Sequence, residues 1–233
     1  MRVAVTRQQA DGERSAAALR ARGHDVLLAP LMRVEPIAAD LAGTWSGIAI
    51  TSANALVALN GPREFLTLPL FAVGARSAEA ARAAGFTQAI AAEGNVDDLV
   101  RLIAERHRGP TPLLYLAGED RAADLIGALA RHRIAAEMRV VYRAVTAPLP
   151  PALIAALRGR VLDAVLHYSQ RGAESYLAGA RAAGIEAEAL AVRHVCLSAQ
   201  VAAPLQVAGA SRIAVAKHPD EAALIELLGM SGR

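Results

Sequence analysis

The chain repeats one pattern of secondary structure in its two halves. An apolar strand, a tight turn of small or hydroxyl residues and an alanine-rich helix recur in the same order. The matched segments are residues 3–7 with 113–118, 48–54 with 165–171, and 71–77 with 195–200. Two similar α/β units imply a cleft between them, and clefts between domains are common places for small-molecule sites.

Short apolar strand patterns alternate with helical patterns along the whole chain. We predict ten strands, from residues 3–6 to 212–216, and ten helices, from 11–22 to 219–229; two of the predicted helices are 53–60 and 121–132. This alternation is typical of parallel sheets that carry helices on both faces. The predicted fold class is therefore α/β.

Composition excludes several classes of protein. A hydrophobic content of 54% with 20% charged residues is typical of a globular chain. No run of about 18 apolar residues is present and the first strand begins at once, so we expect no membrane contact, no signal peptide and a cytoplasmic location. The single cysteine, Cys196, lies in an apolar strand and is expected to be inert.

The charge and the motifs narrow the possible partners. The net charge is +3, the arginines are spread over many helices, and three Phe, four Tyr and one Trp are too few for base stacking. We therefore expect no nucleic-acid partner. The six histidines lack metal-ligand spacing, and the chain has no glycine-rich nucleotide motif. No metal site is predicted.

Two extended segments interrupt the alternation. Residues 31–37 and 139–145 are not followed directly by a helix, and they could pair as an antiparallel ribbon. If the chain crosses at both segments, residues 1–31 and 148–233 form one domain and 38–138 form an inserted one, with linkers 32–37 and 139–147. The alternative is one repeat per domain, with a boundary near residue 112. The spacing leaves both open.

The order and spacing of short motifs along the whole chain resemble the uroporphyrinogen-III synthase family. The motifs are Thr6-Arg7, Pro30, Ile50-Thr-Ser-Ala-Asn54, Ala72-Val-Gly-Ala-Arg-Ser77, Glu93-Gly-Asn95, Leu116-Ala-Gly118 with Arg121, and Val141-Tyr142-Arg143. The resemblance implies two flavodoxin-like parallel-sheet domains joined by a two-stranded antiparallel β linker, which favours the inserted-domain division.

The resemblance also implies an activity. Enzymes of this family are lyases of tetrapyrrole and haem biosynthesis. They cyclise the linear tetrapyrrole hydroxymethylbilane to uroporphyrinogen III, losing water and inverting the terminal pyrrole ring, without a cofactor. We expect a monomer that makes transient contact with the enzyme producing hydroxymethylbilane. The alternative is a non-catalytic two-domain binding protein for an anionic small molecule.

Candidate site residues lie in the turns that follow the strands. The eight carboxylates of hydroxymethylbilane need many donors, and helix N-termini with adjacent hydroxyl, amide and guanidinium groups supply them. The predicted substrate contacts are Arg7, Thr51, Ser52, Asn54, Arg76, Ser77, Gly118, Arg121, Ser169, Arg171, Ser198 and Gln200. The resemblance to the family's Val-Tyr linker motif singles out Tyr142 as a general acid for the leaving hydroxyl group.

Overall fold

The computed structural model describes residues 1–57, 59, 63–121 and 123–229. The chain divides into two compact units. The first unit consists of Met1–Arg33 and Val145–Arg233, and the second of Val34–Ala144. Both units are mixed α/β structures built on parallel strands, which confirms the predicted fold class.

Eleven strands and ten α-helices alternate over the described residues. The strands are β1 (Arg2–Val5), β2 (Asp25–Leu28), β3 (Met32–Pro36), β4 (Gly47–Ile50), β5 (Leu70–Ala72), β6 (Ala89–Ala91), β7 (Leu113–Gly118), β8 (Ala136–Thr146), β9 (Ala164–His167), β10 (Arg193–Cys196) and β11 (Ile213–Val215). The helices are α1 (Gln9–Arg20), α2 (Asn54–Val57), α3 (Ala75–Ala83), α4 (Val96–Arg106), α5 (Leu125–Arg131), α6 (Pro151–Arg158), α7 (Gln170–Ala182), α8 (Glu186–Ala191), α9 (Ala199–Val207) and α10 (Glu221–Gly229).

The sheet of the first unit has the strand order β11-β10-β9-β1-β2, and all its strand pairs are parallel. The sheet of the second unit has the order β3-β8-β7-β4-β5-β6, and the pairs from β8 to β6 are parallel. Strand β3 lies beside β8 at the edge, and the Ile37 amide donates to the Val141 carbonyl at 2.8 Å.

The repeat in the sequence corresponds to equivalent strands in the two sheets. Strands β1, β2, β9, β10 and β11 occupy the same places in the first sheet as β7, β8, β4, β5 and β6 occupy in the second. The second unit therefore has the same strand order as the first, with its chain starting at a different strand. Each matched pair of segments therefore forms equivalent strands, and the matched segments keep the same order along the chain.

Each sheet is buried on both faces because successive side chains of a strand point to opposite sides. In β1, Ala4 packs into one apolar cluster while Val3 and Val5 pack into another on the opposite face. In β7, Leu114 and Tyr115 are divided in the same way. Two-sided burial is typical of parallel sheets, and it fixes the strand ends at one edge as the place for polar side chains.

Local signals set most helix ends. Glycines Gly23, Gly85 and Gly184 adopt positive φ just after helices α1, α3 and α7, as C-terminal caps do. At the other end, the Asn95 side chain accepts a hydrogen bond from the Asp98 amide at 2.9 Å and caps α4. These residues stabilise the backbone groups that a helix leaves unpaired at its ends.

Two predicted helices differ from those in the structure. Of the predicted helix 53–60 the structure shows α2 over Asn54–Val57, and residues 58 and 60 lie outside the described residues. The predicted helix 121–132 begins instead at Leu125, because the Asp124 side chain accepts from the Gly127 amide and caps the helix there. Residue 122 lies outside the described residues. A short 3-10 helix, Arg63–Thr67, was not predicted.

Candidate active site

A cavity of about 440 Å³ lies at the carboxyl ends of β4, β5 and β7 in the second unit, beside Tyr142 of β8. From β4 the sheet continues through β5 and β6 on one side, and from β7 it continues through β8 on the other. The strand order therefore reverses between β4 and β7, and open α/β sheets bind ligands at such a reversal. The predicted contacts that line this cavity are Thr51, Ser52, Gly118, Arg121 and Tyr142.

A β-bulge places Tyr142 at the cavity. Ala117 pairs with Val140 but Gly118 pairs with Tyr142, so β8 carries one extra residue at this point. The Glu119 amide donates to the Tyr142 carbonyl at 2.9 Å and fixes the backbone beyond the bulge. The ring of Tyr142 lies against Gly118, where a Cβ atom would come within 2.6 Å of the Tyr142 Cζ. Only glycine leaves room for the phenol.

Burial raises the pKa of the Tyr142 phenol, with smaller contributions in the same direction from Tyr115 and Asp120. The hydroxyl group of Ser52 opposes this shift by stabilising the phenolate. The phenol is therefore protonated at neutral pH. A neutral phenol beside a hydroxyl group can donate a proton to an oxygen atom in the cavity.

A second phenol belongs to the same cavity. The Tyr115 hydroxyl lies 3.1 Å from the Thr51 Oγ1, and its ring packs in the core on one face of the sheet. Sequence reasoning did not include Tyr115 among the site residues because it lies in the middle of an apolar strand. The one feature of the sequence that could have indicated a site residue is the hydroxyl group of Tyr115, since a buried tyrosine usually turns its hydroxyl group toward a hydrogen-bond partner.

Arg121 lies between two adjoining cavities. Its Nη1 donates to the Gly118 carbonyl at 3.0 Å, which is its one side-chain hydrogen bond within the described residues. A neighbouring cavity of about 610 Å³ shares Tyr115, Arg121 and Ala123 with the first. The remaining donor positions of the guanidinium can face an anionic group in either cavity, because Arg carries five N–H donors.

Three further predicted contacts of the second unit lie outside this lining. The Asn54 amide donates to the Ser52 Oγ at 3.2 Å, where α2 begins. Arg76 is exposed on α3, whereas Ser77 is 7% exposed on the buried face of the same helix. The cavity thus brings together five of the eight residues predicted in this unit.

In the first unit, the charge of Arg7 is already opposed by carboxylates. Its Nη1 lies 3.3 Å from the Glu221 Oε1 and its Nη2 lies 3.6 Å from the Asp11 Oδ2. The guanidinium also stacks over the Tyr168 ring, at 4.4 Å from the ring centroid. A substrate carboxylate at Arg7 would therefore compete with two protein carboxylates.

The other predicted contacts of the first unit lie at the starts of two helices. The Ser169 Oγ accepts from the Gly172 amide at 3.0 Å, and the Ser198 Oγ accepts from the Val201 amide at 3.3 Å. Both serines act as N-caps in this structure. Arg171 is exposed on α7, and the Gln200 side chain donates to that of Gln170 at 3.2 Å.

Among residues 1–57, 59, 63–121 and 123–229, no group of three or more His, Cys, Asp or Glu side chains is placed to hold a metal ion. Within the same residues, every helix is too short or too polar to cross a membrane. Burial raises the pKa of the Cys196 thiol to about 12. The thiol is therefore protonated and unreactive in the core.

Comparison with known proteins identifies the family. A family model described as uroporphyrinogen-III synthase HemD matches residues 13–226. The solved structure of uroporphyrinogen-III synthetase from Helicobacter pylori is 17% identical with a TM-score of 0.60, and 98% of each chain is covered. That of uroporphyrinogen III synthase from Thermus thermophilus is 21% identical with a TM-score of 0.46, covering 98% of this chain and 96% of the other. Comparison with curated proteins gives no significant match.

The likeness to the Helicobacter pylori structure supports a shared fold over the whole length. The match of the family model covers most of the sequence and confirms the resemblance inferred from the motifs. The chain belongs to the uroporphyrinogen-III synthase family.

Proposed function

We propose that this chain binds and cyclises its substrate in the cavity lined by Thr51, Ser52, Gly118, Arg121 and Tyr142. The activity itself follows from family membership: the chain is a lyase of tetrapyrrole biosynthesis that cyclises hydroxymethylbilane to uroporphyrinogen III. The comparisons give no support to a non-catalytic binding protein. The observation that carries the proposal is the phenol of Tyr142, which a bulge between β7 and β8 sets over Gly118, beside the reversal of strand order between β4 and β7.

The first chemical step is the loss of the hydroxyl group from the hydroxymethylpyrrole. The pyrrole nitrogen supplies the electron pair that expels the oxygen, leaving an azafulvene cation. We assign the proton for this oxygen to the Tyr142 phenol, so that water leaves and a phenolate remains. The phenolate then faces the cation, and this ion pair offsets part of the cost of a buried negative charge.

The second chemical step is ring closure with inversion. The substituted carbon of the terminal pyrrole attacks the cationic methylene carbon and forms a spiro intermediate, which fragments and closes again at the other carbon. The last ring then loses a proton to regain aromaticity, and the Tyr142 phenolate is the base that takes it. The protein returns to its starting protonation state with one water released. Positioning supplies much of the remaining acceleration.

We further propose roles for the predicted contacts. Thr51 and Ser52 donate hydroxyl hydrogen bonds, Gly118 leaves room for the phenol, and Arg121 pairs with a carboxylate. The remaining proposed contacts with substrate carboxylates are Asn54, Arg76 and Ser77 in the second unit and Arg7, Ser169, Arg171, Ser198 and Gln200 in the first.

We propose that the two compact units are flavodoxin-like domains, 1–31 plus 148–233 and 38–138. Each sheet has the order 2-1-3-4-5 when its equivalent strands are renumbered, which is the doubly wound order of that fold. The proposed linkers, 32–37 and 139–147, form an antiparallel pair. Two hydrogen bonds support this: Ile37 donates to Val141, and Ala147 donates to Leu31. From Leu31 to Ile37 the hydrogen-bonded partner moves back along the chain from Ala147 to Val141, which is the register of antiparallel strands.

The instability of the substrate bears on the partners of the enzyme. Hydroxymethylbilane closes spontaneously to the wrong isomer, so rapid transfer from the enzyme that makes it is an advantage. We propose a cytoplasmic monomer that contacts this upstream enzyme transiently and has neither a nucleic-acid nor a membrane partner. Size-exclusion chromatography with light scattering measures the oligomeric state.

The role of Tyr142 is tested by replacing it with phenylalanine. We expect turnover of Tyr142→Phe to fall about 10²-fold, the lower end of the range for general acids, because a phenol of raised pKa is a weak acid. The matched control is Tyr176→Phe, whose hydroxyl donates to the Ala189 carbonyl in the core of the first unit. Steady-state assays with fresh hydroxymethylbilane measure both. Equal turnover in wild type and Tyr142→Phe would exclude the acid role.

A further inference from the structure

A separate cavity of about 320 Å³ lies at the opposite edge of the first unit's sheet. Its lining comes from segments that precede strands: Leu162 before β9, Val192 before β10 and Arg212 before β11. The predicted substrate contacts of this unit, by contrast, follow strands. Because all strands of this sheet are parallel, the two sets lie at opposite edges.

Two guanidinium groups line this cavity without forming an ion pair within the described residues. Arg160 and Arg212 both line it, together with the carboxylate of Glu188. Within the part of the chain that the structure describes, neither guanidinium makes an ion pair or a side-chain hydrogen bond. The remaining walls are apolar and include Leu157, Leu162 and Val192. The cavity therefore has apolar walls, two guanidinium groups and one carboxylate, and its net charge is about +1.

The backbone of Arg160 is held in a conformation that usually selects glycine. Arg160 has φ +52° just after α6, and the same position after helices α3, α7 and α9 is occupied by Gly85, Gly184 and Gly209. An L-residue with a side chain is strained at such a φ value, so glycine is the ordinary choice. At this helix end the chain carries a strained arginine whose side chain lines a cavity.

We propose that this cavity is a binding site for a small organic monocarboxylate with an apolar body. The guanidinium groups of Arg160 and Arg212 bind the carboxylate, and the apolar walls bind the body of the ligand. A volume of about 320 Å³ equals roughly ten water molecules at about 30 Å³ each, so the ligand has about a dozen non-hydrogen atoms. Glu188 lowers the net positive charge and disfavours dianions.

The test uses 4-phenylbutanoate as the probe, with the neutral 4-phenylbutan-1-ol and sulfate as comparison ligands. Binding to the full chain is measured by isothermal titration calorimetry. The variants are Arg160→Gly and Arg212→Gln. The matched control is Arg133→Gly, because Arg133 also has positive φ, at 59°, just after α5, and lies outside the cavity.

We expect the acid to bind the wild type and the alcohol and sulfate to bind at least about tenfold more weakly. Arg160→Gly and Arg212→Gln should each weaken binding of the acid about tenfold, the effect of losing one charge-assisted hydrogen bond. Arg160→Gly and Arg133→Gly should both raise the melting temperature because both relieve backbone strain. Arg133→Gly should bind the acid as the wild type does.

Three results would overturn the proposal. The first is no binding of the acid to the wild type. The second is binding of the alcohol or of sulfate that is as strong as binding of the acid. With the alcohol this would show that the site does not select the carboxylate, and with sulfate it would show that the apolar walls do not contribute. The third is unchanged binding of the acid in both Arg160→Gly and Arg212→Gln while these variants remain folded. The melting temperatures establish that the variants are folded, so a failed variant cannot be mistaken for a failed site.

Discussion

Individual side chains at the cavity of the second unit supply two kinds of group, hydroxyl groups and a guanidinium. Tyr142 supplies a phenol, Thr51 and Tyr115 share a hydrogen bond, and Arg121 supplies the guanidinium of the lining. Arg121 is exposed and bonds to the carbonyl of Gly118, so most of its donors are available. Its proposed role is therefore to bind substrate rather than to stabilise the fold.

Replacing Arg121 by glutamine tests this role. We expect KM for hydroxymethylbilane to rise about tenfold with kcat nearly unchanged, since a solvated carboxylate contact is lost without a change in chemistry. Arg131→Gln, at the exposed end of α5 in the same unit, is the matched control and should behave as wild type. An unchanged KM in Arg121→Gln would show that this guanidinium does not contact the substrate.

Two histidines form a buried pair in the first unit. His167 Nε2 lies 3.1 Å from His194 Nδ1, and both rings are fully buried. Burial lowers the pKa of His194 from 6.5 to about 4, against a smaller opposing effect of the Leu190 and Ala189 carbonyls. Burial also lowers the pKa of His167, and the charge of His194 adds to this shift. Both rings are therefore neutral in the folded chain.

The expected pH dependence follows from these directions. Below about pH 6.5 the unfolded chain binds protons that the folded chain excludes, so stability is complete above this pH and falls as the pH drops. Between pH 7 and pH 5 we expect the free energy of unfolding to fall by about 2 kcal/mol from His194. Urea unfolding at the two pH values measures it. The variant His167→Gln with His194→Gln should lose less stability over this interval, and an equal loss would contradict the assignment.

The sequence predicts which residues belong to the site better than it predicts which side chains surround them. Thr51 and Ser52 follow from a turn motif, because a turn after a parallel strand exposes its polar groups at one sheet edge. Tyr142 follows instead from the resemblance to the family's Val-Tyr linker motif. Tyr115 could not be predicted, since its position in an apolar strand resembles that of any core residue. The carboxylates around Arg7 come from segments as distant as α10, and no local pattern reveals such a pairing.

At the scale of elements, the bulge between β7 and β8 determines where the phenol lies. It sets Gly118 opposite Tyr142, and the ring occupies the space that a side chain at Gly118 would need. A bulge redirects a side chain at the end of a strand without changing the pairing before it. The catalytic proposal therefore depends on this irregularity as much as on the tyrosine itself.

Gly118→Ala tests the dependence on the bulge. A Cβ atom 2.6 Å from the Tyr142 Cζ must displace the ring, so we expect turnover to fall about as far as in Tyr142→Phe. The double variant Gly118→Ala with Tyr142→Phe should be no slower than Gly118→Ala alone, because both changes remove the same interaction. Gly229→Ala, where a Cβ atom meets nothing within 4 Å, is the control. Additive losses in the double variant would contradict the account.

The positions of the elements were more predictable than their ends and irregularities. Two-sided apolar strands and glycine caps identify β1, β4, β9 and the helices after them, because these signals are local. Helix α5 begins late because Asp124 caps it rather than an earlier residue. The sequence is compatible with a cap at either place. The bulge at Gly118 depends on pairing between two strands and has no signature within either one.

At the scale of the whole molecule, the two units share one strand order but differ in how the chain enters them. The second unit is one continuous segment, Val34–Ala144, whereas the first is assembled from the two ends of the chain. Spacing along the sequence could not distinguish this division from a boundary near residue 112, because the repeat is equally regular in both. Contacts between distant segments, such as Leu31 with Ala147, were needed.

This organisation predicts that the second unit folds by itself. A fragment of residues 34–144 contains every strand of its sheet from β8 to β6 and the apolar clusters on both faces, so we expect cooperative thermal unfolding by circular dichroism. The matched fragment, residues 1–112, follows the alternative boundary and lacks β7 and β8 from this sheet. We expect it to unfold without cooperativity. A cooperative transition in 1–112 and none in 34–144 would contradict the proposed domains.

The most direct measurement for the account as a whole is the identity of the product. Freshly made hydroxymethylbilane is incubated with the wild type and with Tyr142→Phe, and the uroporphyrinogen isomers are separated and quantified against a protein-free control. We predict isomer III as the main product of the wild type, and a larger share of isomer I, the uncatalysed closure product, with Tyr142→Phe. Isomer I alone from the wild type would contradict the account.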